Sequence, residues 1–336
     1  MHEQDVQRVF VTGADGFIGS HLVEHLLARG HVVTALCQYN SFGRHGWLET
    51  STENTHPNLT LVLGDVRGAV HMRHLCDGMD VILNLAALIA IPYSYSAAQS
   101  YIDTNISGTL NLLEAARHHG VRRFIQTSTS EVYGSAQFTP ITEEHPLNAQ
   151  SPYAATKIAS DQLALSYHRS HGLEVSVIRP FNTFGPRQSM RAVIPTIIRQ
   201  ALAGDQIQIG DLEPKRDMNF VGDIVRGFEA AITADKAVGE VINLGTNFEV
   251  SVGDMIKIVG ELLGRTLEPC QQGERLRPVK SEVTRLLASN EKARDILGWA
   301  PEAAGYEGFV AGMRKTVDWF ASPQNQALYT LRGFVY

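Results

Sequence analysis

Tyr153-Ala154-Ala155-Thr156-Lys157 sets a phenol and an ammonium four residues apart, one turn along a single face if the segment is helical. An ammonium at that spacing favours the phenolate, so the tyrosine can exchange a proton with a hydroxyl of a ligand. Of the ten tyrosines in the chain only Tyr153 has lysine four residues on, and it follows Ser151-Pro152, a sequence suited to starting a helix. Upstream, Gln126-Thr127-Ser128-Thr129-Ser130-Glu131-Val132-Tyr133-Gly134 begins as a strand and ends in a glycine turn. Residues just past the carboxyl end of such a strand face the ligand crevice of an open α/β sheet, which makes Thr129, Ser130 and Glu131 candidate site groups. Standing alone, the same hydroxyl cluster would serve equally to cap the following turn.

A third motif concerns phosphate. In Thr12-Gly13-Ala14-Asp15-Gly16-Phe17-Ile18-Gly19 the glycines fall at intervals of three. Gly13 permits a tight turn, Gly16 lets backbone amides approach a pyrophosphate, Gly19 allows close helix-to-strand packing, and the helix N-terminus adds partial positive charge. The spacing is the GxxGxxG form of short-chain dehydrogenases, one residue longer than GxGxxG before the second glycine. At the end of the second strand, where an acid usually meets the adenosine ribose, the chain reads Leu36-Cys37-Gln38-Tyr39-Asn40, and the nearest arginine is Arg44. NAD and NADP both remain open on that reading. Asp65, in Gly64-Asp65-Val66, stands where an acid could reach the adenine amino group, or where a solvated turn would place one.

These groups need a scaffold. Short β-branched runs alternate with helical stretches: strands at 8–12, 31–36, 60–63, 81–85 and 123–127, helices at 20–29 and 104–118. The alternation predicts right-handed βαβ units, and therefore a Rossmann-type, doubly wound parallel α/β sheet covered on both faces. A further buried strand is expected at 175–179, after which Pro180, Pro186, Pro195 and the polar stretch 210–219 break the pattern. We expect a dinucleotide-binding domain over 1–180, a smaller mixed α/β substrate domain over 181–336, and a segment near 222–248 that returns to the sheet through a strand at 241–244.

With 336 residues, 44% of them hydrophobic and 19% charged, the chain is long enough and apolar enough for a large core. A net charge of -6 supplies no global attraction to nucleic acid or an acidic membrane. Cys37, Cys76 and Cys270 are odd in number and widely spaced, which suggests neither a disulfide framework nor a metal knuckle. The N-terminal residues lack the apolar run of a signal peptide, and the longest apolar segment, 81–93, falls short of the ~20 residues a membrane span needs. A cytoplasmic protein without metal is the expectation.

Taken together, Gly13/Gly16/Gly19, Thr129-Ser130-Glu131, Tyr153/Lys157 and Arg179-Pro180-Phe181-Asn182-Thr183-Phe184-Gly185-Pro186-Arg187 resemble the extended short-chain dehydrogenase/reductase family of nucleotide-sugar enzymes. Residues 87–95, 150–153, 185–195 and 275–285 look like the NAD-dependent 4,6-dehydratases of the legionaminic-acid type, which act on nucleotide-linked N-acetylglucosamine. The resemblance implies that Tyr153, tuned by Lys157 and bonded through Thr129, takes the proton of the sugar O4 while C4 is oxidised. Glu131 would then remove the C5 proton, and water would leave from C6. In the dTDP-glucose dehydratases an Asp precedes that Glu and protonates the leaving hydroxyl; here Ser130 stands in its place, leaving one carboxylate for both tasks.

For the cofactor, the expected contacts are Gly13, Asp15, Gly16, Phe17, Ile18, Gly19, Asp65, Val66, Leu85, Ala86, Ala87, Asn105, Tyr153, Lys157 and Pro180, with NAD as the cofactor and NADP still open. For the substrate, the resemblance implies Asn182 at the diphosphate and Arg187, Arg216 and Arg277 at phosphate or nucleotide ribose, roles that suit guanidinium forks. It also implies a homodimer built on helices around 105–118 and 152–168. A UDP-glucuronate decarboxylase and a 4-epimerase are the rival enzymes, although epimerases of this family usually carry a small residue where Glu131 stands. Outside enzymes, an NAD(P)-sensing protein would keep the fold without turnover.

Overall fold

The structure is a computed structural model, and it describes residues 6–272 and 285–329. Its first half alternates β1 (Arg8–Thr12), α1 (Phe17–Ala28), β2 (Val32–Gln38), β3 (Leu59–Gly64), α2 (Ala69–Leu75), β4 (Val81–Asn84), α3 (Ile91–Ser96), α4 (Ala98–Tyr101), α5 (Gly108–His119), β5 (Arg123–Thr127), α6 (Pro152–His171) and β6 (Glu174–Pro180). The second half adds β7 (Asn182–Phe184), α7 (Val193–Ala203), β8 (Gln206–Ile209), β9 (Lys215–Phe220), α8 (Val221–Thr233), β10 (Val241–Leu244), β11 (Glu249–Ser251), α9 (Val252–Leu263), β12 (Glu268–Gln271), β13 (Arg285–Leu286), α10 (Glu291–Leu297), α11 (Gly305–Ala321) and α12 (Pro323–Gln326).

Seven strands form one parallel sheet in the order β10-β6-β5-β4-β1-β2-β3, the Rossmann arrangement with one strand added beyond β6. Alternation along each strand divides the core. Val9, Val11, Val33, Ala35, Val81 and Leu83 pack beneath α1 and α8, whereas Phe10, Ile82, Phe124, Val175 and Val177 pack against α2, α5 and α6. On α1 the buried residues Leu22, Val23, Leu26 and Leu27 make an apolar stripe, and such side chains contribute about 1.5–3 kcal/mol each when fully buried.

A second core gathers Phe184, Ile194, Ile197, Ile198, Met255, Phe309 and Met313 from β7, α7, α9 and α11. Above it β9 pairs with β7, β11 and β13, and β8 pairs with β12. The sequence reading left 210–219 as an irregular polar stretch, but Lys215–Phe220 is a strand at the centre of this small sheet. Its polarity is internal. The buried Asp217 carboxylate accepts from the backbone amides of Thr246 (2.8 Å), Asn247 (3.0 Å) and Ala288 (3.1 Å) and from the Thr246 hydroxyl (2.6 Å), so charge that resembled solvated loop satisfies buried donors instead. The helix expected over 104–118 also differs at its start, where Ile102–Ser107 form a π turn ahead of α5. The three cysteines are free, Cys37 and Cys76 being buried and pushed up to about 12 by that burial. Among the described residues no helix is long and apolar enough to cross a membrane.

Candidate active site

The strand order reverses between β1 and β4, and the two loops leaving these strands meet there. Thr12, the last residue of β1, donates its hydroxyl to Asn84 Oδ1 (2.8 Å) and accepts from the amides of Leu85 and Ala86 (both 3.1 Å). Asn84 reaches on to Thr109 (3.2 Å) and Gln126 (2.9 Å), so the carboxyl ends of β1, β4 and β5 are laced by buried polar side chains. Gly13 has φ 64° and sits so near the β4 loop that a Cβ would lie 2.9 Å from Ala86 N; one on Gly19 would lie 2.1 Å from Gly13 O. Only glycine fits either place. Helix α1 opens at Phe17 with no side-chain cap and no acid in its first turn, leaving its amides directed at the turn. This cradle fits a dinucleotide pyrophosphate.

Beyond β5 lies the second half of the crevice. Ser151 caps α6 by accepting from Ala154 N (3.1 Å), and Pro152 occupies its first turn, which fixes Tyr153 and Lys157 on the face toward β5. Both are buried. Lys157 Nζ donates to the carbonyl of Thr127 (2.5 Å), and burial brings the ammonium down to about 8 against the opposing charge of Asp161. Burial pushes the Tyr153 phenol up; the hydrogen bond with the Thr129 side chain opposes this, and the negative charge of Glu131 adds to it. Thr129 and Glu131 are therefore near enough to Tyr153 to act on its phenol. Thr129 also caps the 3-10 turn Ser130–Tyr133 by accepting from Glu131 N (3.2 Å), which lifts Glu131 out of the strand direction, while Ser130 is buried within the turn. The ring of Tyr101 packs edge-on to Tyr153 at 6.3 Å between centroids.

The other expected contacts fall in several places. Phe17, Ile18, Leu85, Ala86 and Ala87 are half-buried in α1 and the loop after β4, beside the glycine turn, and Pro180 ends β6. Val66 closes the floor against Gly108. Asn105 is wholly engaged as a clamp: its amide accepts from Leu88 N (2.9 Å) and donates to Leu88 O and to Thr156 Oγ1 (both 3.0 Å), joining the β4 loop to α6. The Asp65 carboxylate is bound by the guanidinium of Arg67. On the substrate side, Asn182 Oδ1 is buried with no hydrogen-bond partner, and Arg216 lies buried on β9. Arg187, held at φ 69°, directs its guanidinium at α1, to Glu24 (2.7 Å) and Ser20 (3.2 Å), and so ties the two halves of the chain. Arg277 lies outside the described residues.

Behind Lys157 is a network that sequence reading did not single out. Asp161, one turn further along α6, accepts from Ser128 (2.6 Å) and from Arg179 Nε (3.2 Å) and Nη2 (3.0 Å); Arg179 also donates to Tyr133 OH (2.9 Å), which donates to Asn243 (2.7 Å). Extending the Tyr153/Lys157 spacing by one more turn would have found Asp161.

A glycine turn at the reversal of a parallel sheet, facing a buried tyrosine–lysine pair beyond the next strands, defines a short-chain dehydrogenase/reductase of the extended, nucleotide-sugar kind. The chain belongs to the family described as GDP-mannose 4,6 dehydratase, which matches residues 10–311. It is 36% identical over 317 residues to a dTDP-glucose 4,6-dehydratase of Streptomyces griseus, covering 93% of each chain. It is also 36% identical to a UDP-glucose 4-epimerase of Mycolicibacterium smegmatis, covering 93% of this chain and 98% of the other. A crystal structure of a Streptomyces venezuelae dTDP-glucose 4,6-dehydratase with NAD bound superposes with TM-score 0.84 at 30% identity, covering 96% of this chain and 98% of that one. Homologues of this breadth are nucleotide-sugar enzymes that include dehydratases and epimerases.

Proposed function

We propose that the protein is an NAD-dependent nucleotide-sugar 4,6-dehydratase, acting on a UDP- or GDP-linked N-acetylglucosamine-type substrate. The observation that carries this reading is the Glu131 carboxylate, on the turn just past β5, near enough to the Tyr153 phenol for its charge to act there. Epimerisation needs a proton shuttle at O4; elimination needs, in addition, a base for C5. When bound, NAD supplies the acceptor and donor of one hydride, so the reaction needs no net oxidant. Tyr153 takes the O4 proton, held in line by Thr129 and by the positive charge of Lys157 beneath it. Glu131 takes the C5 proton, made acidic by the ketone at C4, and returns it to the C6 hydroxyl as the C6–O bond breaks and water leaves; C6 would then receive the hydride removed from C4, and C5 a proton from solvent, to give the 4-keto-6-deoxy product. Ser130 carries no ionisable group, so Glu131 serves both transfers.

Asn182, whose amide nitrogen can donate to phosphate oxygens, and the buried Arg216 are the groups we assign to the substrate diphosphate and nucleotide. We assign the cofactor to residues 1–180 and the substrate to 181–336, with 222–248 returning to the first; the separate apolar core of the second half supports that division. A cytoplasmic homodimer is part of the same reading, supported by Ile102 and Leu110, which stand 41% and 38% exposed at the start of the helix expected to pair.

The test is product analysis. Incubation with UDP- and GDP-N-acetylglucosamine in deuterium oxide is expected to give a 4-keto-6-deoxy sugar with deuterium at C5 and no accumulating NADH. A product that keeps its 6-hydroxyl, inverted at C4, would replace this reading with epimerase, and carbon dioxide from a glucuronate substrate would replace it with decarboxylase. Glu131→Gln is expected to stop elimination while C4 oxidation still registers as enzyme-bound NADH.

A further inference from the structure

In a sheet of this winding the adenosine ribose lies at the tip of the strand beside the glycine turn, where an acid accepts from its hydroxyls and repels a 2′-phosphate, or an arginine takes that phosphate. Strand β2 offers neither, because no Asp or Glu occurs from Gly30 to Leu48. A carboxylate nevertheless stands there, supplied from the glycine turn itself. Asp15 Oδ2 accepts from the backbone amide of Gln38, the last residue of β2, at 3.2 Å. From the other side, Trp47 N donates to Asp15 O (3.2 Å), and Gly46 lies so close that a Cβ on it would be 2.6 Å from that oxygen and 2.9 Å from Asp15 Cβ. Asp15 is thus walled in between the β2 tip and the turn Gly46–Thr50.

The cations nearest in sequence are held by other acids. Arg44 donates to Glu49 at 3.0 Å, within a loop folded by Asn40, which accepts from the amides of Phe42 (3.2 Å) and Arg44 (3.0 Å). Arg67, after β3, is bound to Asp65.

We propose that Asp15 reads the adenosine ribose and excludes a 2′-phosphate, so that selection of NAD over NADP is made from within the glycine turn rather than by a residue of β2. The inference rests on the dinucleotide reading given above. It is tested by calorimetric binding of NAD+ and NADP+ to the full chain, with the melting temperature of each unliganded variant recorded. The wild type is expected to bind NAD+ at least about tenfold more tightly, from the repulsion of a phosphate dianion by a nearby carboxylate. Asp15→Asn keeps the volume and the acceptor for Gln38 N but loses the charge, and is expected to bring the two affinities together chiefly by tightening NADP+. Asp15→Ser is the second variant, and adding Gln38→Asp to either is expected to restore the preference. A wild type that binds both cofactors equally, or folded Asp15 variants that keep the wild-type ratio, would overturn the proposal. A wild type that binds neither would instead remove the dinucleotide reading beneath it.

Discussion

Burial raises the proton affinity of the Tyr153 phenol, the hydrogen bond with Thr129 opposes this, and the Glu131 carboxylate adds to it. Tyr153→Phe should therefore lower kcat by about 10²–10⁴ while leaving substrate affinity within a few fold, read by steady-state kinetics with direct substrate titration. Lys157 loses its ammonium near pH 8, having been brought down from 10.5 by burial, so kcat/KM should fall as pH rises through that value. Asp161 favours the ammonium, and Asp161→Asn should move this alkaline limb to lower pH. The same change leaves Arg179 buried without its anion, at a cost of about 3–5 kcal/mol in stability measured by denaturant unfolding. Tyr153, Lys157 and Glu131 were legible because their spacing is local and their chemistry belongs to their own side chains. Ser128, Asp161 and Arg179 were not, since three separate elements must fold together before a strand-end hydroxyl, a helix acid and a strand arginine become one network. Arg187 shows the converse: a guanidinium suited to phosphate meets Glu24 first, a partner 163 residues away in the chain.

Among the elements, α1 carries two dependencies that can be separated. At its start, Gly19→Ala would set a methyl within bonding range of the turn it packs on, and should weaken NAD binding at least about tenfold, measured by calorimetry. At its far end, His25 and Arg29 both reach Glu229 on α8, each at 2.7 Å. Burial would raise the Glu229 carboxyl, but these two bonds outweigh it and bring the group from 4.5 to about 2. A carboxylate depressed in the folded state stabilises above its unfolded pKa and ceases to as pH falls through the folded one. Glu229→Gln should accordingly cost about 1–2 kcal/mol at pH 7, and that difference should shrink between pH 4.5 and 2, as followed by thermal melts across the range. The parallel strands were legible from their apolar runs, and β1, β5 and β10 stand at the expected residues. Strand β9 was hidden, because its buried Asp217 is satisfied by backbone amides and a hydroxyl from distant segments, which leaves no alternation for the eye to follow.

At the scale of the whole molecule, side chains from the glycine-turn half meet the second core along a seam. His21 bonds the carbonyl of Pro186 (3.0 Å), and Arg187 meets Glu24. Trp47, whose turn walls in Asp15, packs edge-on to Trp319 of α11 at 5.6 Å between centroids and lies 5.6 Å from the Tyr329 ring. The chain has three tryptophans, and the third, Trp299, is buried with its indole N–H bonded to Asp223 O (2.8 Å). Two of the three tryptophans thus straddle the joint between the lobes, and the third sits buried away from it. Emission from Trp47 and Trp319 reports on the environment of that joint: substrate titration is expected to shift it in the native chain, and to leave it still once both are replaced by phenylalanine.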